Sequence, residues 1–573
     1  MKTRTLRCGA AAVITLFAAV AMASPAPPAA GEHGMVVTAH ELATRIGVDV
    51  LKRGGTAVDA AIAVGYALAV SYPAAGNLGG GGFMTLQLAD GRKTFLDFRE
   101  KAPLAATERM FLDRQGNVVS DLSTRGHLAV AVPGTVSGLE YARVKYGSMP
   151  REALIAPAIE LAEKGFVLAE GDVELLVYGT EGFRKDPATA AIFLDDGQPL
   201  RAGKRFVQAD LARTLRSVSQ HGVDGFYKGP VAAALVAASK AGGGIITQAD
   251  LDRYSTRELA PLECDYRDFR IVTAPPPSGG GIALCEMLNI LEGYPLKSMG
   301  RGSVQAVHYQ IEAMRYAYAD RNALLGDPDF VKNPVERLID DAHAAKIRAS
   351  IDPKRAGSSL AIGQGSAARE GTNTTHYSIA DGKGNVVAVT YTLNDWFGAH
   401  VTAGGTGVLL NNEMDDFTAK QGAPNMYGLV QGAPNRIEPG KRPLSSMTPT
   451  IVTRGGKPLM LLGTPGGSRI TTAVLLSMLN VLDYGMDIQQ AVDAPRFHQQ
   501  WLPAATLVED DALSPHTRAA LERMGHEFGS PQPENHVAAI LIGAPALDAA
   551  PVGKNRFYGG LDRRRNTGLA LGY

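Results

Sequence analysis

Cysteine is almost absent, with three in 573 residues. Cys8 lies in the leader region, so only Cys264 and Cys285 remain in an exported chain. They allow one disulfide or two separate buried thiols, but no disulfide framework. An excess of charge of one sign is also lacking: 57 Lys and Arg balance 57 Asp and Glu, and no long basic run occurs, which makes nucleic acid a poor partner. H-E-x-x-H and paired C-x-x-C motifs are missing and the 12 histidines are scattered, so the sequence implies no metal. The lack of G-x-S-x-G and G-x-x-x-x-G-K-[ST] weighs against α/β-hydrolase and P-loop readings. The apolar run at residues 9–20 is too short to span a membrane comfortably. Lys2, Arg4 and Arg7 precede it and Ala21-Met22-Ala23 follows, which is the pattern of a secretory signal over residues 1–23. Residues 24–31, rich in Pro and Ala, read as a flexible tether. The expectation is a periplasmic or secreted protein with no stable membrane insertion after signal removal.

What remains is an ordinary globular composition, 45% hydrophobic and 20% charged, long enough for a large core. The apolar spacing of residues 41–71, broken at Gly54-Gly55, predicts two helices, the second nearly all apolar and therefore buried. The glycine-rich turn at residues 76–82 leads into a strand at 83–88. With no Gly-Lys-Ser/Thr downstream, it reads as close backbone packing rather than a phosphate cradle. A second strand follows at 93–98, and helices are expected near 151–164, 208–221, 282–291 and 303–325. Residues 356–371 are small, polar and rich in Gly and Ser, an exposed linker where a cut would be tolerated. Beyond it the pattern becomes sheet-like. Strands at 374–381 and 385–393 join through Gly382-Lys383-Gly384, and bulge-free pairing of numbers summing to 766 sets Thr392 opposite Thr374. A second hairpin, 450–454 with 457–462, pairs numbers summing to 911 and extends Ser445 and Ser446 towards Gly466 and Gly467.

Asn373-Thr374-Thr375-His376-Tyr377-Ser378 stands at the start of that sheet-like region. A threonine hydroxyl is a weak nucleophile, and one way to activate it is to make the residue N-terminal, so that its own α-amine accepts the proton. That amine has a pKa of about 7.7–8.0, suited to a general base near neutrality. Within an intact chain the nitrogen is an amide, so activity would require scission between Asn373 and Thr374.

Together these segments closely resemble the γ-glutamyltransferase (γ-glutamyltranspeptidase, glutathione hydrolase) family of N-terminal-nucleophile hydrolases, over nearly the whole mature chain. The resemblance rests on residues 76–84, Asp97-Phe98-Arg99-Glu100, residues 374–378 and 409–417, Arg442-Pro443-Leu444-Ser445-Ser446-Met447, and Gly463-Thr464-Pro465-Gly466-Gly467-Ser468-Arg469, all in the same order. It implies an α+β fold, a four-layer αββα sandwich built from both fragments of a self-cleaved precursor: a large part, residues 32–373, and a small part, residues 374–573, paired as a heterodimer. It also implies Thr374 as nucleophile, Thr392 as its hydrogen-bond partner, and Gly466 and Gly467 as the oxyanion hole. Arg99, Ser445 and Ser446 would take the α-carboxylate of a glutamyl donor such as glutathione, and Asn394, Glu413 and Asp416 its ammonium. Residues 420–432 resemble a lid, with Tyr427 as its gating side chain. Thr375 ranks lower, as an aid to the N-terminal amine, while His376, Lys441, Arg442 and Arg469 read as structural or processing residues. Asp395-Trp396 departs from the family pattern and bears on acceptor preference. The acceptors implied are water, amino acids or peptides, and no cofactor is implied. The alternatives are a glutaryl (cephalosporin) acylase of the same fold, for which Glu413 with Asp416 would have no use, and a non-catalytic periplasmic binding protein that never matures.

Overall fold

The computed structural model describes residues 26–362, 373–529 and 535–573. The expected signal and most of the linker, residues 363–371, lie outside the described residues. The tether ends sooner than expected, because Ala29–Gly31 pairs as a sheet-edge strand.

Fourteen strands build two antiparallel sheets of seven. They are β1 (Ala29–Gly31), β2 (Gly34–Thr38), β3 (Gly81–Gln87), β4 (Lys93–Phe98), β5 (Arg257–Leu259), β6 (Leu262–Tyr266), β7 (Phe269–Thr273), β8 (Thr375–Asp381), β9 (Val386–Thr392), β10 (Thr450–Arg454), β11 (Lys457–Gly463), β12 (Ala538–Ile542), β13 (Phe557–Leu561) and β14 (Leu569–Gly572). One sheet runs β14-β2-β8-β9-β3-β4-β5 and the other β1-β13-β12-β11-β10-β7-β6.

Period-two alternation explains the stacking. Along β8 and β9, Tyr377, Ile379, Val387, Val389 and Tyr391 join a core on the helical side. Their neighbours Ala380, Val386 and Ala388 meet Ile451, Leu461, Ala538 and Ile540 of the second sheet. A strand apolar on both faces must be covered on both. Helices α1 (Glu41–Lys52) and α2 (Ala57–Ser71) cover the first sheet. A capping box starts α2, with Asp59 N–H donating to Thr56 Oγ1 at 3.3 Å and Thr56 N–H to Asp59 Oδ2 at 2.8 Å. Every residue of α2 is buried, as its apolar composition predicts. Further along the chain come α3 (Arg151–Lys164), α4 (Ala209–His221), α5 (Gly280–Glu292), α6 (Val304–Leu324) and α7 (Ile470–Leu482). Of these, α5 and α7 pack with β10 and β11 in the core on the far side of the second sheet, and α6 joins them. The result is the expected αββα order.

The β8–β9 ladder has the expected register, with Thr375 opposite Tyr391. The second hairpin departs from its expected register. Near its turn Arg454 faces Lys457, but beyond a shift between Val452 and Thr453 the pairing becomes Thr450 with Leu462. Leu459 is the extra residue of a bulge, so the pairing sum changes from 911 to 912.

Glycines 79–82 act as packing residues. A Cβ on Gly79 would lie 2.0 Å from Leu409 O, and one on Gly80 1.9 Å from Thr392 O. Backbone approaches this close leave no room for a side chain.

The two cysteines are resolved as a pair: Cys264 on β6 and Cys285 on α5 are disulfide-bonded, with Cα atoms 5.9 Å apart. A closed loop spanning 21 residues contributes about 3 kcal/mol. Replacing both cysteines by serine is expected to lower unfolding stability by about that much, read by guanidinium denaturation of both proteins under non-reducing conditions. Coincident unfolding curves would refute it.

Candidate functional site

Thr374 sits immediately before β8, so the ladder that pairs Thr375 with Tyr391 sets Thr374 against Thr392 at the end of β9. Their hydroxyl oxygens are 3.2 Å apart. The Thr374 hydroxyl is also placed to donate to Asn373 O, the carbonyl of the bond before it. Thr392 Oγ1 lies 3.4 Å from the same carbonyl and accepts the Asn394 N–H at 2.8 Å. Asn394 holds a positive φ of 76°, a region that asparagine tolerates better than most residues. Thr374 is only 3% exposed.

The charged part of the site comes from a different signal. Glu413–Asp416 is a 3₁₀ helix, whose three-residue repeat puts the side chains of Glu413 and Asp416 on one face. Both carboxylates accept from the Arg99 guanidinium, Glu413 from Nη1 and Asp416 from Nη2. Arg99 follows β4 and is held by its Nε, which donates to Pro443 O at 3.2 Å. Burial opposes the charge of Arg99, but Glu413, Asp416 and Glu100 outweigh it and raise its pKa. Burial also drives the carboxyls upward, Glu413 well above the ordinary range, Glu100 to about 7 and Asp416 above its usual value, with Arg99 opposing the rise at all three. Three buried carboxyls therefore surround one guanidinium. The Glu100 carboxylate lies 3.8 Å from Arg99 Nη1, and its oxygens accept no hydrogen bond from a described residue.

The second hairpin contributes through its open end. Ser445 Oγ accepts the Met447 N–H at 3.0 Å, and Ser446 Oγ accepts from Arg321 Nη2 at 2.9 Å. Beyond β11, Gly466 and Gly467 adopt φ of +133° and +55°, values that favour glycine. A Cβ on Gly466 would strike the Asn535 amide at 2.1 Å, and one on Gly467 the Tyr427 ring at 2.4 Å. Neither backbone N–H donates to another described residue. The Tyr427 hydroxyl reaches Asn394 Oδ1 at 2.6 Å, and its residue is buried, so the loop over residues 420–432 lies closed on the site.

One cavity of about 20 Å³ is lined by Arg99, Arg321, Thr374, Thr392, Asn394, Glu413, Asp416, Tyr427, Ser445, Ser446 and Gly467. Of the expected site residues, Gly466 stands beside this lining and Asn373 behind Thr374. A space this small admits about one water, so a larger molecule requires Tyr427 and its loop to move. Thr375 heads β8 with a hydroxyl that has no described partner. His376 is buried between Thr390 and Ser378 and driven to a pKa of about 3 by burial, a neutral structural ring. Lys441 and Arg442 bond Pro434 O and Asp97 respectively, away from Thr374. Arg469 closes the 3₁₀ turn before α7.

Sequence reasoning missed Arg321 and Glu100. Arg321 projects from α6, and its pKa falls to about 10 through burial. An arginine within a predicted helix carries no sign of the cavity it will reach. Glu100 was legible only as the neighbour of Arg99.

A family model described as gamma-glutamyltranspeptidase matches residues 43–571. The "Glutathione hydrolase proenzyme" of Pseudomonas sp. (strain A14) is 67% identical over 547 residues, 95% of each chain. The protein of the same description from Escherichia coli (strain K12) is 46% identical over 567 residues, 96% of each. Among solved structures, a cephalosporin acylase from Bacillus halodurans superposes with a TM-score of 0.82 at 26% identity, covering 98% of this chain and 99% of its own. With a match spanning nearly its whole length, this chain belongs to the gamma-glutamyltranspeptidase family.

Proposed function

We propose that the protein is an exported, self-processing γ-glutamyl transferase and hydrolase acting on glutathione and related γ-glutamyl amides. The observation that carries this reading is the convergence of the Thr374 hydroxyl, the Asn373 carbonyl and the buried Arg99–Glu413–Asp416 cluster on one small cavity.

Maturation begins when Thr374 Oγ attacks the Asn373 carbonyl carbon. The C–N bond breaks, the hydroxyl proton passes to the departing nitrogen, and an ester joins Asn373 to Thr374. Water hydrolyses it, leaving an Asn373 carboxylate and a Thr374 with free hydroxyl and amine. The fragments ending at Asn373 and starting at Thr374 remain together as a heterodimer. In turnover the Thr374 amine takes the hydroxyl proton as Oγ attacks the γ-carbonyl of the donor. The oxyanion is met by the Gly466 and Gly467 N–H groups, and the amine leaves with the proton. Water, an amino acid or a peptide then resolves the acyl-enzyme.

Donor selection follows from charge. The α-carboxylate of the donor competes for Arg99 with Glu413 and Asp416, aided by the serine hydroxyls, and the α-ammonium supplies those carboxylates with a replacement cation near Asn394. A glutaryl group brings the carboxylate without the ammonium, so it would strip Arg99 from its two buried acidic partners, Asp416 among them, and offer nothing in return. That cost, several kcal/mol for an unpaired buried charge, favours the γ-glutamyl reading over the acylase one. The signal pattern of residues 1–23 supports export to the periplasm or beyond the cell.

Purified wild-type protein is expected to show two bands on a denaturing gel, the smaller beginning at Thr374 by N-terminal sequencing. Thr374→Ala should remain a single chain without turnover. Two bands from that variant, or a wild type that stays whole and inert, would overturn the reading, the latter in favour of a binding protein.

γ-Glutamyl-p-nitroanilide should be hydrolysed much faster than glutaryl-p-nitroanilide. Asp416→Asn should narrow the gap by raising KM for the γ-glutamyl compound about tenfold to a hundredfold, the loss of a charged hydrogen bond. Faster turnover of the glutaryl compound by wild type would assign an acylase.

A further inference from the structure

Donor binding leaves the Asp395-Trp396 pair unused. Asp395 is 1% exposed and follows directly on Asn394. Its carboxylate is held from several sides: Oδ1 accepts the Trp396 N–H at 2.9 Å and the Tyr178 hydroxyl at 3.1 Å, and Oδ2 lies 2.7 Å from Arg125 Nη2. Its own N–H donates to Asn412 Oδ1 at 2.8 Å. A side chain so restrained is a fixed point, and what it fixes is Asn373, whose amide Nδ2 donates to Asp395 Oδ1. The other end of the Asn373 amide, Oδ1, has no partner among the described residues. The carbonyl of Asn373 meanwhile faces the Thr374 hydroxyl, with Thr392 Oγ1 at 3.4 Å.

We infer that Asp395 is a positioning residue for self-cleavage: through the Asn373 side chain it holds the scissile carbonyl against the Thr374 hydroxyl, with Arg125 and Tyr178 bracing the carboxylate. The inference rests on the self-processing reading above. Asp395 takes no proton and forms no bond; it contributes orientation, by restricting rotation of Asn373 before the attack. Asparagine suits the position because its amide donates where a carboxylate would be repelled.

The test is a double-mutant cycle on the rate of chain scission. Wild type, Asn373→Ala, Asp395→Ala and the double variant are produced as precursors, and the appearance of the small fragment is timed on denaturing gels. Each single change is expected to slow cleavage by about tenfold or more. The double variant should be no slower than the slower single one, because both changes remove the same contact. Unfolding midpoints of the four precursors, measured alongside, should not track the cleavage rates, as a general loss of packing would require. If Asp395→Ala is insoluble, Asp395→Asn takes its place in the cycle and is expected to show the same non-additivity. Wild-type cleavage rates in either single variant, or effects that multiply in the double one, would overturn the inference. A wild-type chain that never cleaves would instead defeat the self-processing reading beneath it.

Discussion

The pairing of β8 with β9 is the constraint on which the site depends. Because the ladder places Thr375 opposite Tyr391, the preceding residue has no freedom to face anything but Thr392. The glycines of the neighbouring strand bring a third backbone into contact at the same level, with Gly80 against Thr392 O. A side chain there would push β3 away from β9 and carry Arg99, which follows β4, with it. Covering apolar faces on both sides of the sheet make a register slip costly, since moving one residue would turn Tyr377 and Ile379 inward against the second sheet.

Electrostatics places the site under a different tension. Arg99 and three carboxyls lie almost fully out of water, where each unpaired charge costs several kcal/mol. The molecule settles this internally, through contacts of the guanidinium with Glu413 and Asp416, while burial raises the pKa of Glu413. The ligand-free arrangement is thus self-satisfied. A ligand enters only by offering charges that replace the ones it displaces, which makes charge complementarity a condition of entry as well as of affinity.

Much of this was legible in the residues. The first hairpin's register followed from a three-residue turn and period-two alternation, and the helices of residues 41–71 followed from apolar spacing and a Gly-Gly break. Bulges and long-range packing escaped such reading. Leu459 adds a residue to β11 without any local mark, since Pro458, Leu459 and Met460 continue the strand pattern smoothly. The Cys264–Cys285 bond was open because spacing alone cannot tell a bridge from two thiols. Arg321 and Asp395 act across more than a hundred residues of sequence, on Gln431 and Ser446 in one case and with Arg125 and Tyr178 in the other. The end of the tether became β1 because Ala29–Gly31 finds a partner at the far end of the chain, in β13.

The strand order of the two sheets carries a mechanical consequence. In one sheet β2, from before residue 373, lies between β14 and the β8–β9 pair from after it, with β3, β4 and β5 from before it on the far side of β9; in the other, β10 to β13 lie between β1 on one side and β7 with β6 on the other. The disulfide joins two residues of the earlier part and does not bridge the divide. Cutting the chain before Thr374 would therefore break one covalent bond and no ladder. The two pieces would be interleaved like the fingers of clasped hands, parting only if both sheets unravel, while the new end at Thr374 gains the freedom of a chain terminus at the centre of an otherwise unaltered scaffold.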